Sequence, residues 1–336
     1  MRILQLASHL NVGGVTTHVV TLADMLAQHG HEAVVAAAGG TLEDRLAQRR
    51  VPHWRVPLHT SAELSPQVAW AAWQLGRHLA THPVDLIHAH TRVAQVVAHW
   101  LSQRHRIPYV TTWHGFFRRR LLRRVFPCLG KLTIAISEPV ARHLQEDFGM
   151  PAGRLRLIPH GIDASHFTET PDVATLQTYR ARWGLPRGQP VIGWIGRLAS
   201  GGVKGFDLLL AAAAHVQREV PGLEILLVGD GPRRAFLERE ARRLGIGDRV
   251  HWVGTVEDVR IPLTLMDVFV FPSRRQEGFG LSLLEALAAG KPVVALNTGA
   301  VPQILQHGQD GWLVAPEDAS ALAQGIVRLL ADRTIA

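Results

Sequence analysis

The chain has 336 residues, enough for two domains each with its own core, and 47% of them are hydrophobic, yet no apolar run approaches the ~20 residues a membrane helix needs. A single cysteine, Cys128, excludes an intramolecular disulfide and points to a reducing compartment, the cytoplasm. The net charge of +8 lies wholly in residues 1–165, with 18 Lys and Arg against 10 Asp and Glu; residues 166–336 hold 18 of each. A basic first half predicts an acidic partner there, and charge does not choose among nucleic acid, a membrane surface and a phosphorylated acceptor.

Residues 3–7, ILQLA, read as a first strand ended by Ser8-His9, not as a signal peptide. HLNVGGVTTHV follows, then a helical pattern at Val19, Leu22, Ala23 and Leu26. Strand, glycine turn and helix suit a phosphate or substrate loop at Gly13-Gly14, with a plain tight turn as the alternative. The spacing G-x-G-x-x-G is absent, and the second strand, 33–40, has no carboxylate at its end for a ribose, which argues against a dehydrogenase. Strands at 84–88, 109–112 and 132–135 alternate with helices at 66–80, 92–103 and 138–147. That alternation predicts a parallel sheet covered on both faces, with ligands at the carboxyl ends of its strands.

His90 and His114 occupy such ends, and Gly115 lets a ligand approach the backbone beside His114; a purely structural histidine is the other reading. His88 with His90 invites a metal among 19 histidines, but no carboxylate-rich or cysteine motif accompanies them, so none is expected. The segment 116–126, FFRRRLLRRVF, sets Phe117, Leu121, Leu122 and Val125 on one helical stripe among five arginines. It reads equally as a core-packed helix with a solvated basic face or as an interfacial helix. In the second case Arg118, Arg119, Arg120, Arg123 and Arg124 each gain about 1 kcal/mol at an anionic leaflet.

LRLIPHGID (155–163) closes the first half, and the polar residues 164–188 read as a linker. A second series follows, with strands at 191–195, 224–228, 250–253, 268–271 and 293–296 and helices at 206–219, 233–244, 258–266, 281–289 and 318–331. The fold class is therefore α/β, two consecutive doubly wound Rossmann-like domains, 1–165 and 166–336. Gly196-Arg197 follows a strand, and Lys204-Gly205 lies seven residues beyond Arg197; a guanidinium and an ammonium near one turn suit a diphosphate, or are simply two solvated cations. VGDGP (228–232) is another glycine turn, and HWVGTV (251–256) ends a strand where a base would be framed. In EGFGLSLLEALAAGKPVVALNTGA (277–300), Glu277 precedes a helix and Glu285 lies two turns inside it, within roughly 80° of the same face. The amides of Phe279, Gly280 and Leu281 point out of that helix N-terminus, a ready site for anions and hydroxyls; a capping and a solvated glutamate are the plainer account.

Taken together, Gly13-Gly14-Val15, His114-Gly115, Ser137-Glu138, Pro159 to Asp163, Gly196-Arg197 with Lys204-Gly205, Gly229-Asp230-Gly231-Pro232 and Glu277 to Ala300 resemble a GT-B glycosyltransferase of the retaining family-4 type. The resemblance covers almost the whole chain. It implies an acceptor-side domain over 1–165 facing, across a cleft, a nucleotide-sugar donor domain over 166–336. Carried over, Glu277 binds donor-sugar hydroxyls, the amides of Phe279, Gly280 and Leu281 contact sugar and phosphate, and Glu285 takes the ribose. Arg197 and Lys204 hold the diphosphate, Gly14 approaches it from the other domain, Val256 contacts the base, and His114 sits beside the sugar. His114 and Glu277 are thus the expected catalytic residues.

No Asp-x-Asp motif is present, so neither a metal nor another cofactor is expected. The expected partners are a nucleotide sugar and a glycan or lipid-linked acceptor in lipopolysaccharide, surface polysaccharide or glycolipid synthesis, with no nucleic acid, at the cytoplasmic face of a membrane. A nucleotide-sugar epimerase and a non-catalytic nucleotide-sugar binder are the alternatives. Two departures stand out: Val301-Pro302-Gln303 lacks the acidic residue often found there, and the family's usual C-terminal return segment is missing by Ala336, so that either the chain is truncated or closure of the domains depends on something else.

Overall fold

The computed structural model describes residues 1–117, 123, 125–199, 202–274 and 277–332, in two compact units, Met1–Gly161 and Ile162–Ala336. In the first unit, β1 (Arg2–Leu6), β2 (Glu32–Ala37), β3 (His53–Arg55), β4 (Leu86–Ala89), β5 (Tyr109–Trp113), β6 (Leu132–Ala135) and β7 (Leu155–Leu157) form one parallel sheet, ordered β3-β2-β1-β4-β5-β6-β7. Its helices are α1 (Gly14–Gln28), α2 (Glu43–Gln48), α3 (Pro66–Thr81), α4 (Arg92–His105) and α5 (Glu138–Phe148). The near-continuous burial of β1 and β2 follows from helices on both faces. Val34 and Ala36 join Leu75, Ala94 and Val97 in one core layer, while their neighbours Val35 and Ala37 join Val19 and Ala23 in the other.

The second unit repeats the plan with β8 (Val191–Ile195), β9 (Glu224–Val228), β10 (Val250–Gly254), β11 (Val268–Phe271), β12 (Val293–Leu296) and β13 (Trp312–Val314), ordered β10-β9-β8-β11-β12-β13 and all parallel. Around this sheet lie α6 (Ala164–Thr168), α7 (Val173–Arg182), α8 (Phe206–Glu219), α9 (Arg234–Arg243), α10 (Arg260–Leu265), α11 (Leu281–Ala288) and α12 (Ala319–Ala331). Trp194, Phe206, Phe269 and Phe271 are its largest fully buried side chains.

Strand order reverses direction at β1/β4 in the first sheet and at β8/β11 in the second. These switch points are where open α/β sheets bind ligands, beyond the carboxyl ends of the strands. The polar stretch 164–188 is not a bare linker. It holds α6 and α7, the latter capped by Asp172 accepting from the Thr175 amide at 2.8 Å, and Phe167, Leu176, Tyr179 and Trp183 pack on the second core. The expected helix over 116–126 lies largely outside the described residues. Among those described, no helix is long and apolar enough to cross a membrane.

Candidate functional site

Each switch point gathers polar side chains that packing alone does not require. In the first unit, Gln5 on β1 is fully buried, and His90, just past β4, approaches its Oε1 at 2.6 Å through Nε2. His90 Nδ1 lies 3.1 Å from Nε2 of His114, the residue after β5. His114 Nδ1 lies 3.1 Å from His160 Nε2, in the turn after β7, and His160 Nδ1 lies 2.9 Å from Nδ1 of His18 on α1. Four imidazoles thus stand in single file behind a glutamine. His88 forms a side branch, 2.7 Å from Thr112 Oγ1 and with its ring 4.0 Å from that of His90, since residues two apart on a strand share a face.

Burial, and then the neighbouring imidazoles, push these groups down: His18 to about 4 by burial alone, His88 and His160 to about 3, and His90 and His114 well below the ordinary range. All five are neutral near pH 7. His114 and His90 do sit at strand ends as anticipated, but both ring nitrogens of His114 are already engaged. His18 and His160 were not singled out in the sequence; their only signal was a histidine inside each of two glycine-turn motifs, GGVTTH and PHGID. Gly14 opens α1 and is exposed, beside a turn held by Thr16 Oγ1 donating to the Asn11 and Gly13 carbonyls at 2.6 and 2.9 Å. Among the described residues, no group of three or more His, Cys, Asp or Glu has the geometry of a metal site.

In the second unit, Lys204 Nζ donates to Glu277 Oε2 at 2.5 Å, and Glu277 is 8% exposed. Lys204 precedes Gly205, the N-cap of α8, whose φ is +64° and where a Cβ would stand 1.9 Å from the Pro272 carbonyl oxygen. Only glycine lets α8 begin this close to the end of β11. Arg274, three residues past β11, binds both oxygens of Asp207 at 3.0 and 3.2 Å, Glu317 at 2.6 Å and the Gly202 carbonyl at 2.8 Å. Burial raises Asp207, but the Arg274 hydrogen bonds and charge outweigh it and hold the carboxyl below its usual range.

Arg274 is the residue the sequence reading missed; it hides in PSRRQEGFG, where nothing in the spacing distinguishes it. Arg197 is exposed after β8, with no ion-pair partner among the described residues. Phe279 is 5% exposed, Gly280 caps α11 at φ +107°, and Leu281 is the first helical residue. Glu285 is half-buried within α11, and Val256 packs at the margin of the core after β10. Lys291 is structural: its ammonium donates to the Thr264 and Met266 carbonyls at 3.2 and 2.9 Å, closing the end of α10. The structure therefore brings Lys204 to Glu277 within one unit and leaves Arg197 in solvent.

Of the five arginines assigned to a membrane, Arg118, Arg119, Arg120 and Arg124 lie outside the described residues. Arg123 turns inward instead: its Nε donates to Glu63 at 2.6 Å, alongside Arg92 at 2.8 Å, and its guanidinium lies over Phe117. The buried carboxylate offers a stronger partner than a headgroup in water.

A family profile described as Glycosyltransferase Family 4 matches residues 12–166, and one described as Glycosyl transferases group 1 matches residues 189–332. The chain belongs to this family. It has the GT-B fold: the Anabaena protein HepE, solved with UDP-glucose, superposes with a TM-score of 0.85 over 99% of this chain and 90% of its own, at 26% identity. A phosphatidyl-myo-inositol mannosyltransferase from Mycolicibacterium smegmatis is 29% identical over 95% of this chain and 82% of its own length. A GDP-mannose-dependent alpha-(1-6)-phosphatidylinositol monomannoside mannosyltransferase from Mycobacterium tuberculosis is 34% identical over 64% of this chain, and the match spans 56% of that relative's length. Within this glycosyltransferase family, then, the chain carries the two profiles in turn, one on each doubly wound unit.

Proposed function

We propose that the protein transfers a sugar, with retention at the anomeric carbon, from a nucleoside-diphosphate donor to a hydroxyl of a glycan or lipid-linked acceptor. The observation that carries this reading is the pairing of Lys204 with Glu277 at the second switch point, braced by Arg274. An ammonium and a carboxylate held together without ligand are the two charges a sugar diphosphate needs: a cation for phosphate and an acceptor for sugar hydroxyls. Donor binding splits the pair, Lys204 turning to the diphosphate with Arg197, and Glu277 to the sugar. The amides of Phe279, Gly280 and Leu281 meet the sugar and phosphate at the N-terminus of α11, Glu285 takes the ribose and Val256 the base.

Departure of the nucleoside diphosphate concentrates negative charge on its phosphate oxygens. Fixed cations and amides stabilise that charge more in the transition state than in the ground state, each by about 2–4 kcal/mol. Lys204 and Arg197 do this work without a metal. On the first unit the histidine file supplies neutral, positioned imidazoles. The relatives named for phosphatidylinositol lipids favour a glycolipid acceptor at the cytoplasmic face of a membrane. The contact would run through Arg118, Arg119, Arg120 and Arg124, Arg123 being held by Glu63.

A thermal-shift panel of UDP-, GDP-, ADP- and dTDP-sugars selects the donor, because a ligand bound to the folded state raises the melting temperature. Release of the nucleoside diphosphate with acceptor present then tests transfer. A donor that binds but is never consumed would favour a non-catalytic binder, and isomerisation of the bound sugar an epimerase.

A further inference from the structure

The imidazole file has a direction. Gln5 presents its carbonyl oxygen to His90, so His90 carries its proton on Nε2 and its Nδ1 accepts. His114 must then donate from Nε2 and accept at Nδ1, His160 must donate from Nε2 and accept at Nδ1, and His18 must donate from Nδ1. Each neutral ring has one N–H, so the choice made at Gln5 propagates through four residues without freedom. It ends at His18 Nε2, which has no hydrogen-bond partner among the described residues and carries an unshared pair on a half-buried ring.

We propose that His18 Nε2 is a hydroxyl-accepting subsite for a sugar or polyol ligand, with Gln5, His90, His114 and His160 as positioning residues that fix its polarity. The ligand class rests on the glycosyl-transfer reading; the polarity of the file does not. A mixture of tautomers at His18 would present a donor part of the time and repel the hydroxyl proton. Locking the file leaves an acceptor at all times, and the lone pair is aimed before the ligand arrives. The groups facing His18 are the imidazoles of His90, His114 and His160, which follow β4, β5 and β7; Gln5 and Thr112 are the neutral partners of His90 and His88 behind them. Burial and the imidazoles of one another are the causes of their lowered basicity, with no carboxylate or cation among them.

Long-range proton–nitrogen correlation spectra of the full chain, labelled at histidine, read each tautomer directly. The expected result is Nδ1–H at His18 and Nε2–H at His90, His114 and His160. Gln5→Glu, still an acceptor, keeps this pattern, and Gln5→Met mixes the tautomers at His18. An Nε2–H at His18 in the unaltered chain would overturn the proposal, whatever the enzyme's activity. His18→Asn places an amide N–H where Nδ1–H stood but removes the Nε2 lone pair, so the other three tautomers persist. If the hydroxyl belongs to the donor, this variant weakens UDP-glucose or GDP-mannose about tenfold while UDP or GDP binds unchanged. If it belongs to the acceptor, both affinities hold and kcat/KM for the acceptor falls by about the same factor. Unchanged affinities together with unchanged kcat/KM would remove the subsite.

Discussion

At the scale of single residues, Lys204 and Glu277 have to be read as a pair. In the structure each neutralises the other at 2.5 Å, so neither charge is left buried alone. Glu277→Gln frees the ammonium and should tighten bare nucleoside diphosphate slightly while cutting turnover by roughly 100-fold, since the sugar loses its charged acceptor. Steady-state kinetics beside calorimetry separate the two effects; a loss of diphosphate affinity would contradict the assignment.

The histidines give a pH signature with a definite sign. His18 takes its proton near pH 4 in the folded chain and near 6.5 when unfolded, so the unfolded state binds more protons between those values. Stability contributed by the file is complete above pH 6.5 and is lost progressively as pH falls to about 4 and, through His88 and His160, to about 3. Urea midpoints across this range should fall with pH for the unaltered chain and fall less for His18→Asn. A flat profile would mean that the imidazoles are not buried neutral.

At the scale of elements, two joints carry most of the positioning. Gly205→Ala must hold α8 at a positive φ with a methyl group against the Pro272 oxygen, and should cost more than ~2 kcal/mol while weakening nucleotide binding. Glu63→Gln leaves the Arg92 and Arg123 guanidinia without their buried counter-ion and should cost about 3–5 kcal/mol, read as a lower urea midpoint. A near-neutral result would show that the carboxylate does not anchor the basic segment.

These joints also mark what the sequence made legible. Long apolar strands such as 191–195, 224–228, 268–271 and 293–296 were placed to the residue, because a strand buried on both faces must be apolar throughout. The three-residue edge strands β3 and β13 and the short helix α2 escaped, having too little hydrophobic pattern to register. Glycine-flanked residues, Lys204 and Glu277 among them, stood out because the backbone constraint leaves a mark. Arg274 left none, and of the file from Gln5 to His18 only His90 and His114, at strand ends, stood out: the partners lie 24 to 142 residues apart and meet only when the sheet is formed. Arg123 was misread for the same reason, its partner Glu63 being 60 residues upstream.

At the scale of the whole molecule, the charge asymmetry keeps its meaning. The surplus of positive charge belongs to the unit read as acceptor-side, and the neutral unit pairs Lys204 with Glu277 at its switch point. Sedimentation with anionic liposomes should depend on Arg118, Arg119, Arg120 and Arg124 and weaken with salt; binding indifferent to their neutralisation would remove the membrane role. The central claim is that a nucleoside diphosphate binds at the β8/β11 switch point through Lys204. Calorimetric titration of the selected nucleoside diphosphate into the unaltered chain, Lys204→Ala and His114→Ala tests it most directly. The account predicts affinity reduced about tenfold or more in Lys204→Ala and unchanged in His114→Ala. Equal affinity in the unaltered chain and Lys204→Ala would contradict it.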